Sequence, residues 1–346
     1  AIESYENALK IDPSYIDALC NLGIVLGVLE RYSDAEERYK KALALDPLGY
    51  KINYYLADNL FNQGFYDKAE EIAYKILEKN KSDVELNNLI GKILQKKGKV
   101  KSIGFFRRAL KSTKRKDISL NNIGTLLYEK RKITPAIKFF CKATAENYDN
   151  SEAQINLAYS LLLKKYFLLG WEKHEFRWNI DPLDKFLRPF QNREPWAGQR
   201  EKKIVLWKEQ GIGDDIIFLS LVPEAFKISR ALSVFIDPRL IPLCKRSMPD
   251  IMFLPDEKAL KKEIFDYHSP MGSLPRLFRS SEKDFDKVIR GYLKADPKRV
   301  ELLRNELGLK GKKVVGISWK SFKGSNMENK NLSLILLSKV FKGLDI

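Results

Sequence analysis

The residues best suited to chemistry gather in one stretch, Glu209-Gln210-Gly211-Ile212-Gly213-Asp214-Asp215. It follows the apolar run Ile204-Val205-Leu206-Trp207 and opens a helix over residues 214–218. Gly211 and Gly213 leave the backbone uncovered, and a helix start offers free N–H groups at the positive end of its dipole. An anion or a sugar hydroxyl can approach such a loop closely. The same residue types also make a plain tight turn in which Asp214 or Asp215 caps the helix. A dinucleotide fingerprint competes, because Asp237 ends the next apolar run where a ribose-binding acid belongs. It fails on its third glycine, replaced by Ile216, and on the three residues separating the strand from Gly211.

Other reactive types are sparse. Cys20, Cys141 and Cys244 are too far apart for CxxC spacing or a disulfide framework. Two histidines, His174 and His268, do not suffice for a His-rich metal site. His268 follows an apolar strand and precedes Pro270, which leaves both a structural histidine and a ligand contact open. His174 lies among Trp171, Phe176 and Trp178 and reads as packing, with those aromatics docking against the region around Trp196. Cys20 and Cys141 fall within helices and read as small core residues.

The elements that must position this loop are strands alternating with helices. Apolar runs at 204–207, 232–236, 251–254, 264–268 and 313–319 predict strands, and their alternation with helices implies a parallel, doubly wound sheet. Ligands of such sheets bind at the carboxyl ends of strands, so the loops after Trp207, His268 and Trp319 are the places to look. Residues 181–203, with Pro182, Pro189 and Pro195, read as an ordered connector.

Before it comes a different pattern. Small residues recur at Gly23, Ala57, Gly91, Gly124 and Ala158, each preceded by Leu or Ile, at steps of 33 or 34 residues. Apolar spacing within each unit is helical, and Gly64, Gly98, Asp12-Pro13 and Asp46-Pro47 punctuate the units. This is the tetratricopeptide (TPR) pattern of stacked helix pairs. The chain opens within the second helix of one repeat and runs through five more to about Trp178.

Across 346 residues, 62 Lys and Arg oppose 45 Asp and Glu, a formal charge of +17. The charge is unevenly placed. Residues 1–91 carry 16 acidic and 10 basic side chains, whereas residues 92–142 carry 2 acidic and 16 basic. The run that opens at Lys92 and closes at Lys116 holds eleven Lys and Arg and no acid. It reads either as a solvated outer face or as a patch for an acidic partner, anionic lipid or polyanion. Nucleic acid fits poorly, since Phe105 and Phe106 are the only aromatics in the run and both suit core positions. The longest apolar stretch is interrupted by Lys164-Lys165, so no transmembrane helix is expected. No signal peptide opens the chain, and a cytoplasmic location is expected.

The segments Gly170–Trp178, Pro195-Trp196-Ala197-Gly198, Glu209–Asp215, Phe265–Pro275, Tyr292–Pro297 and Val315–Ser321 resemble bacterial TPR proteins whose repeats run into a glycosyltransferase-like domain, similar to the ADP-heptose heptosyltransferases. The resemblance implies a fold of α plus α/β class. A TPR solenoid over 1–180 and the connector 181–203 would precede a Rossmann-like first half of a GT-B domain over 204–310, with the start of the nucleotide-sugar half over 311–346. It implies inverting sugar transfer from a nucleotide-sugar donor without a metal or other cofactor. Asp214, on the family's Gly-Asp pair, would be the base that takes the acceptor hydroxyl proton. Gly211, Gly213 and His268 would border the acceptor sugar, and Lys320 and Ser321 would meet the donor diphosphate. A solvated Lys320 is the plainer reading of that residue. The repeat groove would recruit a protein or glycan-bearing acceptor. With most of the donor half lacking, the chain is read as a piece truncated at both ends and inactive alone. A non-catalytic TPR scaffold is the alternative, and an enzyme like the protein O-GlcNAc transferases a further one.

Overall fold

The computed structural model of the chain describes residues 1–112, 114–179, 193–209, 211–286, 291–309, 315–317 and 331–341. They form two compact units, Ala1–Ala231 with Ile264–Val288, and Leu232–Glu263 with Ile289–Ile346.

The first unit opens with helix α1 (Ile2–Ile11) and five helix pairs: α2 (Ile16–Val28) with α3 (Tyr32–Leu45), α4 (Tyr50–Asn62) with α5 (Tyr66–Leu77), α6 (Val84–Lys96) with α7 (Ser102–Ala109), α8 (Lys116–Glu129) with α9 (Ile133–Glu146), and α10 (Ser151–Leu163) with α11 (Phe167–His174). The recurring small residues sit where the two helices of a pair touch. A Cβ at Gly23 would lie 2.5 Å from Tyr39 Cε1, at Gly91 2.3 Å from Phe106 Cε1, and at Gly124 2.5 Å from Phe140 Cε1. Size is therefore shared between two positions. Ala57 can carry its methyl because Ala73 occupies the site that Tyr39, Phe106 and Phe140 fill elsewhere, and both alanines are fully buried.

One left-handed residue turns the chain within each pair: Glu30, Gly64, Gly98, Arg131 and Lys165, with φ between 58° and 85°. Glycine adopts this region freely and supplies two of the five. A side-chain latch also recurs. Asn53 donates to the Gly49 carbonyl at 2.9 Å, Asn87 to those of Lys81 and Asp83 at 3.0 and 2.6 Å, and Gln154 to that of Tyr148 at 2.8 Å. These amides hold the turn before each helix onto its first residues. Neighbouring repeats are stitched by buried amides as well, Asn122 donating to Asn88 at 3.2 Å and Asn88 to Ser119 at 3.0 Å.

Cys20 is buried as expected, but Cys141 is exposed. The buried face of α9 is carried by Ala136, Phe140 and Ala143, and residue 141 is turned about 100° from residue 140 by the helical repeat.

After a 3₁₀ turn, Glu175–Asn179, the first unit continues into strand β1 (Lys203–Trp207), helices α12 (Ile212–Leu219) and α13 (Val222–Ile228), strand β4 (Tyr267–Pro270) and helix α16 (Leu274–Phe278). β1 and β4 pair in parallel, from Ile204 against Tyr267 to Trp207 against Pro270. The strand expected at 264–268 thus forms at 267–270. Its register is set by Asp266, whose carboxylate accepts the Lys203 N–H at 2.8 Å while its own N–H bonds the Lys203 carbonyl at 2.9 Å. In the second unit, β2 (Ala231–Phe235) and β3 (Met252–Leu254) are also parallel, Val234 against Phe253. That unit holds helices α14 (Ile241–Ser247), α15 (Glu257–Lys262), α17 (Pro297–Glu306) and α18 (Leu334–Phe341). Residues 315–317 of the strand expected at 313–319 are in no strand, and its other residues lie outside the described ones, as do residues 181–192 of the connector. No helix among the described residues is long and apolar enough to cross a membrane.

Candidate functional site

The glycine loop leaves β1 at Trp207 and enters α12 with Gly211 as its N-cap. Asp214 Oδ2 accepts the Gly211 N–H at 3.3 Å, and the amides of Asp214 and Asp215 donate to the Gly211 carbonyl at 3.0 and 3.1 Å. Of the two acids that could cap the helix, Asp214 makes the capping contact, and Asp215 is buried at 2% exposure. Position decides this: residue N3 of a helix reaches back to the N-cap amide, and Asp214 is N3. Neither glycine is demanded by the fold. Gly211 has φ −79°, an ordinary value. A Cβ at Gly213 would meet nothing within 4 Å, and one at Gly211 only the Asp214 carboxylate at 3.7 Å.

His268 is held on the strand beside β1. It is buried on β4, where Nδ1 accepts the Trp207 indole N–H at 3.1 Å and Nε2 is 3.2 Å from the Arg193 carbonyl. Those two contacts are compatible with a neutral ring protonated at Nε2. The imidazole is a structural member of β1 and β4 that also borders a cavity. Lys320 and Ser321 lie outside the described residues.

The sequence reading missed the most connected group in the first unit. Arg177 is 7% exposed, and its Nε donates to Glu209 Oε2 at 2.8 Å. Its other nitrogens reach Glu175 Oε1 at 2.8 Å, Ser273 Oγ at 2.9 Å and the His174 carbonyl at 3.2 Å. Glu209 also accepts the Gly272 amide. A Cβ at Gly272 would fall 1.9 Å from Glu209 Oε1, so the carboxylate needs a glycine beside it. Burial pushes the Glu209 carboxyl up, against the pull of Arg177. Burial also works against the Arg177 charge, but Glu209 and Glu175 outweigh it and hold the guanidinium above its ordinary value. Trp171 Nε1 donates to the Arg279 carbonyl at 3.0 Å, and Arg279 grips Glu224 with two bonds of 2.6 and 3.0 Å. The last repeat is thereby bonded to the β1–β4 region. Such pairings span 32 to 108 residues of chain. Residue type gave no signal, since Glu172, Lys173 and Lys208 stand beside these residues in the sequence.

Above this network lies a cavity of about 220 Å³ bordered by Glu175, Trp178, Arg193, Trp196, Trp207, His268 and Arg276 among others. Asp214 does not border it.

Along the repeats, two further cavities of about 340 and 360 Å³ share Tyr55. Asp17, Asp46, Tyr50 and Lys51 border the first; Tyr54, Asp58, Glu85, Asn88, Lys92 and Arg115 border the second. Burial pushes the Asp58 carboxyl up, with Lys92 pulling it down. Part of the basic run is committed internally. Lys97 pairs with Asp67 and Glu70, Lys99 with Glu70 at 3.0 Å, and Arg115 with Glu85 at 3.5 Å.

The helical array is a TPR solenoid. Sequence models described as TPR repeat and tetratricopeptide repeat match residues 1–27 and 29–93. A curated relative, Protein FlbA of Caulobacter vibrioides, is 29% identical over 175 residues, which cover 44% of this chain and 29% of that protein. The chain thus spans less than a third of the length of that relative. Among solved structures, YrrB, a TPR protein with an unusual peptide-binding site, is similar at 19% identity and TM-score 0.35 over 53% of this chain and 94% of that one. A thermophilic TPR protein of Thermus thermophilus is similar at 18% identity and TM-score 0.45, over 50% and 95% of the two chains.

Proposed function

We propose that the chain is a protein-interaction scaffold whose TPR array holds an extended segment of a partner protein. The observation that carries this reading is the pair of cavities joined at Tyr55. Their borders come mainly from α2, α4 and α6, the first helices of successive pairs, so one surface runs across several repeats. Tyrosine rings give such a surface contact area, and the carboxylates and amides beside them give hydrogen-bonding sites for a peptide. Lys92, on the border of the second cavity, adds a positive charge suited to an acidic side chain of the partner. The test is peptide display against the chain, followed by affinity measurements on selected peptides. Tyr55→Ala and Asp58→Ala should each weaken binding about tenfold or more; because Tyr55 also stacks on Tyr39 at 6.0 Å, binding is measured well below each variant's unfolding temperature. Selected peptides that bind both variants as tightly as the parent would refute it.

A second reading, sugar transfer by the α/β region, is favoured by the two glycines that the fold does not require and by Asp214 beside them. In that reading Asp214 takes a proton from an acceptor hydroxyl, Gly211 and Gly213 let the acceptor approach, and Lys320 and Ser321 hold the donor diphosphate. No metal or other cofactor has a part in it, and a cytoplasmic location suits a nucleotide-sugar donor. Incubating the full-length natural protein with a panel of nucleotide sugars tests it. Turnover that Asp214→Asn abolishes supports the reading; absence of both donor binding and turnover refutes it.

A further inference from the structure

We propose that the outer face of α7 and α9, on the far side of the array from the cavities joined at Tyr55, binds an acidic segment of a partner protein. This site is separate from the groove and does not rest on the groove reading.

Helix packing defines the face. The first helices of successive pairs pack on one another, α2 on α4, α4 on α6 and α6 on α8, and they border the two cavities. Each second helix packs between the first helix of its own pair and that of the next, α7 between α6 and α8, α9 between α8 and α10. Its remaining side is left to solvent. On α7 the buried residues are Ser102, Phe105, Phe106 and Ala109. Half a turn away the exposed stripe is Lys101, Gly104, Arg107, Arg108 and Lys111. On α9, opposite Ala136, Phe140 and Ala143, the exposed side carries Lys138 and Lys142.

Charge on this face is uncompensated, in contrast to the repeats before it. On α3, Lys40 pairs with Glu36 and Lys41 with Glu37, both at 2.7 Å, and Arg31 pairs with Asp34 at 2.6 Å. Helix α5 mixes Asp67, Glu70 and Glu71 with Lys68 and Lys75. Interspersed signs of this kind are what an ordinary solvated surface shows. Helix α7 has no acid, and the one acid of α9, Glu146, is its last residue. Among the described residues, no ion pair reaches Arg107, Arg108, Lys111, Lys138 or Lys142. Glu78 borders a cavity with Arg108 and Lys81 without pairing with either. Arg108 and Lys142 lie instead over the Phe105 and Phe139 rings, at 4.8 and 5.8 Å. Lys138 and Lys142 are like charges four residues apart on one helix, which repel until an anion comes between them.

The occupant follows from what the face lacks. Between Val100 and Tyr148 no large apolar side chain is exposed among the described residues, so the face has nothing to insert into a bilayer or to stack on bases. A nucleic-acid duplex is stiff over about 50 nm, whereas a flexible acidic chain can pass from α7 to α9 and bring a carboxylate to each base. The guanidiniums of Arg107 and Arg108 suit that chemistry, since arginine holds a carboxylate with two parallel bonds.

The chain is titrated with labelled poly-L-glutamate, with phosphatidylcholine vesicles containing phosphatidylserine, and with duplex DNA, each across a salt series. Saturable binding of poly-L-glutamate is expected, weakening as salt rises. The combined variant Arg107→Gln, Arg108→Gln and Lys111→Gln should weaken it at least about tenfold. A second combined variant, Lys10→Gln, Lys40→Gln and Lys41→Gln, removes the same charge from the mixed-charge repeats and should change it by less than about twofold. All six side chains are exposed, so both variants keep the fold, as the unfolding temperature will report. Tyr55→Ala, which tests the groove, should leave poly-L-glutamate binding unchanged. Absence of saturation at low salt overturns the proposal, and so do equal losses in the two combined variants. Vesicles or DNA bound more tightly than poly-L-glutamate, and released by the α7 substitutions, would overturn it in favour of lipid or nucleic acid.

Discussion

Arg177 Nε lies 2.8 Å from Glu209 Oε2, and the two side chains are 7% and 3% exposed. This buried pair joins the end of the repeats to the loop that follows β1. Removing one member leaves the other charged and desolvated, which costs about 3–5 kcal/mol. Arg177→Met should lower the free energy of urea unfolding by that amount. Adding Glu209→Gln should restore part of it, because the more deeply buried of the two carboxylates left by Arg177 is then neutral. A loss below about 1 kcal/mol in the single variant would show that the pair holds nothing.

Gly91 and Phe106 predict a coupled packing effect. A methyl group at 91 must displace a ring with no free volume around it, so Gly91→Ala should destabilise by about 1–3 kcal/mol. Phe106→Leu should cost stability alone yet lessen the penalty of Gly91→Ala. Additive losses in that double-mutant cycle would contradict the shared-volume account.

The left-handed turn residues predict opposite signs at equivalent positions. Arg131 holds φ 60° and Gly64 φ 85°. Gly64→Ala should lower stability by about 1 kcal/mol, although a Cβ there meets no atom within 4 Å. Arg131→Gly should raise it by a few tenths up to about 1 kcal/mol, relief of backbone strain exceeding the greater entropy of an unfolded glycine. Thermal unfolding of both variants checks the pair, and equal signs would refute the reasoning.

His174 predicts how the repeat end responds to acid. Burial, aided by the nearby Arg177 charge, pushes its imidazole down to about 4 from an ordinary 6.5. The unfolded chain therefore binds the proton more tightly than the folded one. Stability from the neutral ring is complete above pH 6.5 and is lost as pH falls towards 4. At about 1.4 kcal/mol per unit, roughly 2 kcal/mol should go between pH 7 and pH 5. His174→Phe, which keeps a ring beside Tyr159 and Trp171, should flatten that part of the profile. An unchanged slope would assign the acid sensitivity to other groups.

What could be read from the residues was local and periodic. The helix pairs, the small residues at their contacts and the turns at Gly64 and Gly98 all follow from spacing within one repeat. Glu30, Arg131 and Lys165 were hidden because they adopt the same left-handed geometry without glycine as its marker. Cys141 was misplaced by a single helical step, since apolar type alone does not say which side of α9 it faces. The site was less legible. Asp214 and Asp215 are both good caps by type, and only the helix start at residue 212 separates their roles. The Arg177 network depends on partners brought together by tertiary packing, and no pattern in one sequence encodes those distances.

The Arg177 network also limits how the chain can be taken apart. A piece ending after Asn179 would keep Arg177 and Glu175 but leave behind Glu209, Gly272 and Ser273, and it would bare the Trp178 face that now meets Trp207 at 5.5 Å. The TPR array is therefore not a freely exchangeable cassette. Grafting its partner specificity onto another protein requires carrying β1 and β4 along, and a chimera joined within the connector would inherit an arginine stripped of its buried Glu209 partner at its seam.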